Sequence, residues 1–187
     1  MKKIICFLGV IMMITNIGAQ AQNKPNQQKI LVVYYSWSGN TETVAKEIQK
    51  QVKGDIFKIE PVTPYPADYK VCVEQAKKEI KENYKPAVKG KVENINAYDV
   101  IFVGTPNWWS TLAPPVVTFL TSYDFSGKTI VPFVTHGGGG KARCAGDMKK
   151  LAPKANFRNE LAMKGDNVAK SKPEVEKWIK ELGLENK

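Results

Sequence analysis

The chain has one histidine, His136, and three cysteines, Cys6, Cys72 and Cys144, with no C-x-x-C pair. That ligand set is too small and too scattered for a structural zinc site, so no metal is expected. There is no G-x-G-x-x-G and no G-x-x-x-x-G-K-[ST]. Both the dinucleotide fingerprint and the triphosphate loop are therefore absent. The longest apolar run, Ile4–Ile14, falls short of the roughly 20 residues a bilayer-crossing helix needs. Acidic residues are in the minority, 18 against 28 basic, for a net charge of +10. The lysines are interleaved with glutamates, as in Lys77-Lys78-Glu79-Ile80-Lys81 and Glu174–Glu181. Solvated helix faces look like this, and no basic cluster alternates with aromatics, which argues against a nucleic-acid partner.

The first residues read as a processing signal rather than fold. Lys2 and Lys3 precede the apolar run, and Ala19-Gln20-Ala21 is an A-x-A cleavage pattern. Residues 1–21 are thus expected to be a Sec signal peptide cut after Ala21, delivering the protein to the periplasm or the exterior. No stable membrane insertion is expected after cleavage. Removing 21 residues from 187 leaves 166, enough for one domain with its own core. Loss of Lys2 and Lys3 lowers the charge from +10 to +8. Residues 22–29 read as a polar linker and 30–187 as one domain. The remaining Cys72 and Cys144 either pair as a disulfide or stay as two buried thiols.

The stretch Ile30–Thr43, ILVVYYSWSGNTET, organises the domain. Ile30–Tyr35 is apolar without a break, the pattern of a central parallel strand buried on both faces. Ser36, Ser38, Gly39, Asn40 and Thr41 follow, and then a helical pattern through Val44, Ala45 and Ile48. A strand feeding a helix through hydroxylic residues leaves backbone N–H groups and a positive helix end available to an anion. Hydroxyls in place of a lysine suit one phosphate held without a metal. The alternative is a plain helix entry with no ligand.

Further along, the spacing predicts a helix to Lys53, stopped at Gly54, and an edge strand over Asp55–Glu60, where only one face is apolar. Pro61–Pro66 reads as a turn-rich loop. A helix is predicted over Ala67–Asn83 with Tyr69, Val73, Ala76 and Ile80 inward, followed by a basic connector over Tyr84–Asn94. Tyr98–Gly104 is a second fully apolar strand, leading into Thr105-Pro106-Asn107-Trp108-Trp109. Adjacent tryptophans in a loop either split between core and surface or form a flat wall for a planar ligand. Pro114 and Pro115 suit the first turn of a helix reaching Ser122. Lys128–Thr135 is a fourth strand, running into His136 and the glycines Gly137, Gly138, Gly139 and Gly140. Four glycines permit close backbone approach to a ligand; a linker is the other reading. A helix over Lys141–Leu151, a strand over Asn156–Met163 and a helix over Glu174–Leu182, ended by Gly183, complete the pattern.

Five strands alternating with five helices imply a parallel sheet. Strand order 2-1-3-4-5 brings the loops after the first, third and fourth strands to one crevice at the carboxyl edge. Those are the hydroxyl, Trp-Trp and glycine loops, each unusual on separate grounds.

The pieces SWSGNT, PVTPYPADY, AYDVIFVGTPNWW, APPVVTFL and SGKTIVPFVTHGGGG, in this order from Lys29 to Leu184, resemble the flavodoxin-like family. The resemblance implies a three-layer α/β sandwich with a five-stranded parallel sheet in order 2-1-3-4-5, and flavin mononucleotide (FMN) as cofactor. It implies that Ser36, Ser38, Gly39, Asn40 and Thr41 wrap the phosphate, with Trp37 beside the ribityl path. Thr105, Pro106, Asn107, Trp108 and Trp109 would flank the isoalloxazine ring. Thr135, His136, Gly137, Gly138 and Gly139 would border its other edge, with His136 as candidate proton donor.

Two features depart from the electron-carrying flavodoxins: the net positive charge and the export signal. One expectation is an FMN-dependent oxidoreductase passing electrons from a reduced donor such as NAD(P)H to a quinone-like or other small acceptor. The other is an electron carrier that docks an acidic-faced redox protein and binds no substrate. The intact SWSGNT loop argues against a third reading, a binding module that has lost its flavin.

Overall fold

The computed structural model describes residues 28–186. The expected signal peptide, residues 1–21, and residues 22–27 of the expected linker lie outside the described residues.

The unbroken apolar run at the start forms strand β1, Ile30–Tyr34, buried along its whole length. It is followed by helix α1, Asn40–Val52, then β2, Asp55–Lys58, and β3, Glu60–Pro61. Helix α2 spans Tyr69–Lys81 and is capped by Asp68, whose side chain accepts from the Val71 N–H at 3.0 Å. Strand β4, Val88–Lys89, precedes β5, Val100–Trp108, and β6, Thr111–Leu112. Helix α3, Pro114–Thr121, starts on the proline pair. Strand β7, Thr129–His136, helix α4, Cys144–Leu151, strands β8, Asn156–Phe157, and β9, Leu161–Lys164, and helix α5, Lys172–Leu182, complete the chain.

The main sheet runs β2-β1-β5-β7-β8, with β9 also on β7, and all these pairings are parallel. In units of successive sheet strands this is the expected 2-1-3-4-5 order. Strand alternation divides the core in two. Leu31, Val33, Ile101, Val103 and Ile130 face helices α2, α3 and α4. Val32, Val100, Phe102, Val131 and Phe133 face α1 and α5, where Ile48, Val175 and Ile179 are fully buried. The result is a three-layer α/β/α sandwich.

The structure differs from the sequence reading at four places. The tryptophan stretch is strand rather than loop: β5 continues to Trp108 and folds back as an antiparallel hairpin, Asn107 opposite Leu112 and Trp108 opposite Thr111. Its two turn residues, Trp109 and Ser110, have φ of 51° and 64°. The fifth strand is broken into β8 and β9, because residues 158–160 leave the ladder between two short runs that both pair with β7. A small antiparallel β3–β4 pair joins the proline loop to the basic connector.

The fourth difference is the rotation of α2. Cys72, Ala76 and Glu79 are buried, and Tyr69 is 68% exposed. The buried Glu79 carboxylate accepts from the Tyr65 hydroxyl and from Gln75 Nε2. Satisfying that carboxylate sets the inward face, overriding the apolar stripe.

Candidate functional site

The ends of β1, β5 and β7 and the first half of α2 enclose a cavity of about 410 Å³. Trp37, Ser38, Asn40, Pro106, Asn107, Trp108, Trp109, Thr135, His136 and Gly137 line it, all of them residues singled out from the sequence. Tyr69, Cys72, Val73 and Ala76 of α2 complete the wall. None of these four is expected at the site from the sequence: the spacing assigns Tyr69, Val73 and Ala76 to the core face of the helix, because an apolar helix face reads as core.

At one end is the loop Ser36–Gly39. Gly39 has φ 90° and caps α1 without a side-chain hydrogen bond, so the first-turn N–H groups face the loop. Ser36 Oγ is buried with no hydrogen-bond partner among the described residues. Ser36 itself borders a neighbouring hollow, behind the loop, with Lys58 and Lys89. A helix start with free donors beside an orphaned hydroxyl fits a phosphate group. Gly165, which follows β9, also escaped the sequence reading. A Cβ there would lie 2.6 Å from Asn40 Nδ2, so glycine is what lets Asn40 occupy its place.

At the other end aromatic rings pack against one another. The Trp108 indole meets the rings of Tyr35 and Tyr65 edge-on, at centroid distances of 5.6 and 4.9 Å. Burial pushes both tyrosine hydroxyls above their ordinary range, and Tyr65 is raised further by its bond to Glu79. Trp109 is 46% exposed. Its Nε1 donates to the Val73 carbonyl at 3.0 Å, clamping the hairpin onto α2, with the Lys77 ammonium 5.0 Å from the ring centroid. One indole is thus wedged inward and the other straps the rim. Trp37 is fixed by its Nε1 bond to the Pro66 carbonyl, 3.0 Å, and by contact with the Tyr69 ring.

The glycine loop is tied to the hairpin. Asn107 Nδ2 donates to the Gly140 carbonyl at 2.8 Å. Gly138 and Gly139 do not line the cavity. A Cβ on Gly139 would sit 3.3 Å from Asn107 Nδ2, so it serves this tie. Thr105 is fully buried; its hydroxyl accepts from the Ala113 N–H at 3.1 Å and donates to the Pro106 carbonyl, closing the hairpin from behind. Thr41 is 1% exposed, with its Oγ1 2.8 Å from Thr135 Oγ1. His136 Nδ1 is buried and has no partner among the described residues.

Among the described residues Cys72 and Cys144 form no disulfide, and both are buried. Burial pushes both thiols up, Cys144 to about 12, with Glu79 adding to the effect at Cys72. Neither is an activated nucleophile.

The flavodoxin family model matches residues 29–182. The chain belongs to the flavodoxin family. Among solved structures, a protein of Bacteroides eggerthii designated a flavoprotein is 31% identical, with TM-score 0.70, covering 83% of this chain and 98% of its own. A second, from Bacteroides uniformis, is 30% identical with TM-score 0.72, covering 82% and 98%. A flavoprotein of Lactobacillus acidophilus, solved in complex with FMN, is 24% identical, TM-score 0.61, over 76% and 97%; this likeness shows the fold. No curated protein matches the sequence.

The cavity has distinct ends. A loop with free helix-start donors stands at one end, packed aromatic rings at the other, and hydroxyl and amide groups between them.

Proposed function

We propose that this flavodoxin is an FMN-binding redox protein that passes electrons from a reduced donor to a small, quinone-like acceptor. The observation that carries the reading is the cavity itself, about 410 Å³ between a phosphate-type loop and the Trp108 wall. That volume is in the range of small-ligand sites and admits a flavin. FMN supplies the electron-accepting and electron-returning chemistry; the chain supplies binding, orientation and exclusion of water.

The residues divide by position. Ser36, Ser38 and the amides from Gly39 onward hold the phosphate. Trp108, braced by Tyr35 and Tyr65, forms the wall beside the ring, and the Trp109 strap ties the hairpin to α2. His136, whose buried Nδ1 has no hydrogen-bond partner among the described residues, lines the cavity and is the candidate proton donor beside the ring.

Substrate access rather than protein docking is favoured by the aromatic rim of Tyr69 and Trp109, which suits a planar acceptor. The net positive charge favours neutral or anionic acceptors over cationic ones, with attraction screened over about 8–10 Å at physiological salt. The carrier reading requires an acidic-faced redox partner for the same reason. A reduced nicotinamide, NADH or NADPH, is the donor to try first. Residues 1–21 export the protein, which then works in the periplasm or outside the cell. No helix among the described residues is long and apolar enough to cross a membrane.

The test is turnover by the FMN-loaded protein, with NADH or NADPH as donor, against anionic, neutral and cationic quinones over a range of salt. Turnover that favours the anionic quinone and weakens with salt supports the reading. No turnover with any small acceptor, while a protein partner is reduced, moves the assignment to the carrier.

A further inference from the structure

The hydroxyl pair Thr41–Thr135 is the least explained polar feature of the cavity. It joins residues 94 apart in sequence, at 2.8 Å, and both are almost fully buried, at 1% and 3% exposure. The resemblance that identified the site puts Thr41 on the phosphate and Thr135 at the ring edge. The geometry gives each a different place.

Thr41 stands in the first turn of α1, yet its hydroxyl is turned inward onto β7 and the residue does not line the cavity. Thr135 does line it. Its depth is fixed by two neighbours. It is bonded to the start of α1, at the phosphate end, and it pairs in register with Pro106 on β5. The aromatic wall at Trp108 lies two residues further along that strand, roughly 6–7 Å away. Thr135 therefore sits between the phosphate loop and the ring wall.

We infer that Thr135 binds the ribityl chain of FMN and that Thr41 is a positioning residue that orients its hydroxyl. The inference rests on the FMN reading above and deepens it. The chemistry of the pair selects this portion of the ligand. A hydroxyl has one proton and two lone pairs, and either member of the pair can donate to the other. Whichever way the shared proton points, Thr135 keeps hydrogen-bonding capacity for the cavity. A ribityl hydroxyl both donates and accepts, so it is satisfied in either arrangement. A phosphate dianion only accepts, and Thr135 meets it in only one of the two. Bonding within the pair also holds the Thr135 rotamer before ligand arrives, which lowers the ordering cost of binding.

The experiment uses three ligands with the folded protein: FMN, riboflavin, which lacks the phosphate, and lumiflavin, which lacks phosphate and ribityl. Affinities are measured by fluorescence titration for wild type, Thr135→Val, Thr135→Ser and Thr41→Val. Valine matches threonine in shape without the hydroxyl, and serine keeps the hydroxyl. Thr135→Val is expected to weaken FMN and riboflavin alike by roughly five- to tenfold and to leave lumiflavin within twofold. Thr135→Ser should restore most of the loss. Thr41→Val should lower the same two affinities to a smaller degree, and the double valine variant should be no worse than Thr135→Val alone.

Loss for FMN only would assign the pair to the phosphate and overturn the inference. Equal loss for all three ligands would make the pair structural, as would failure of serine to rescue. If Thr135→Val does not fold, the serine variant and Thr41→Val decide by the same ligand pattern. Wild type that binds none of the three would overturn the FMN reading itself, whereas wild type that binds FMN with an unchanged Thr135→Val overturns only this inference.

Discussion

Asn107 on β5 donates from Nδ2 to the carbonyl of Gly140 at 2.8 Å, bridging the tryptophan hairpin to the glycine loop. Two loops 33 residues apart thus hold each other at the mouth of the cavity. Replacing Asn107 by alanine removes the bridge, and FMN affinity should fall by about 0.5–1.5 kcal/mol with little change in the spectrum of bound flavin. Isothermal titration of N107A against wild type checks this, and an unchanged affinity means that the glycine loop is held by other contacts.

Ser36 Oγ is buried and lacks a partner in the described structure. An unsatisfied buried hydroxyl costs about 1–3 kcal/mol, whereas one that meets a charged acceptor contributes about 1.5–3 kcal/mol. Ser36→Ala should therefore leave the apoprotein as stable or more so, while weakening FMN and sparing riboflavin. Thermal unfolding of the apoprotein and parallel titrations give both readouts.

Gly104 pairs with Tyr34 and faces the Phe133 ring, where an added Cβ would stand 2.1 Å from Cζ. Phe133 is fully buried and cannot swing outward. Gly104→Ala should destabilise the fold by at least about 1–3 kcal/mol, measured by denaturant unfolding. Restored stability in a Gly104→Ala, Phe133→Leu pair would locate the clash.

Asp147 accepts from Thr111 Oγ1 at 2.6 Å and pairs with Arg143 and Lys150 at 2.9 and 2.8 Å, linking the hairpin to α4. Burial raises its pKa, but the bonds from Lys150, Thr111 and Arg143 outweigh it and leave it below the ordinary value. A depressed carboxylate stabilises the fold above its unfolded pKa, near 3.9, and loses that contribution as pH falls through the folded value. Asp147→Asn should therefore cost about 1 kcal/mol at pH 7, with the difference from wild type closing below about pH 4. Urea unfolding at pH 3 and pH 7 decides.

Much of this was legible in the chain because buried parallel strands are apolar on both faces. Ile30–Tyr34, Val100–Gly104 and Ile130–Val134 could be read directly, and their order followed from which loops looked unusual. The hairpin was not legible: Trp109 and Ser110 take left-handed φ with no glycine, asparagine or aspartate to signal the turn. The rotation of α2 was hidden because a buried Glu79 satisfied by Tyr65 looks, in sequence, like one more solvated glutamate. The cavity wall from Tyr69 to Ala76 went unseen because an apolar helix face reads as core. The short β3–β4 pair and the break between β8 and β9 carry no periodicity, since two residues show none.

The most direct test of the account is a comparative titration of the protein from Gln22 onward with FMN and riboflavin, followed by absorbance and flavin fluorescence. The two ligands differ only in the phosphate, so their ratio isolates the Ser36–Thr41 loop. The account predicts FMN bound more than tenfold tighter, in line with about 1.5–3 kcal/mol for each hydrogen bond to a charged group. Equal affinity for the two, or no binding of either, would contradict it.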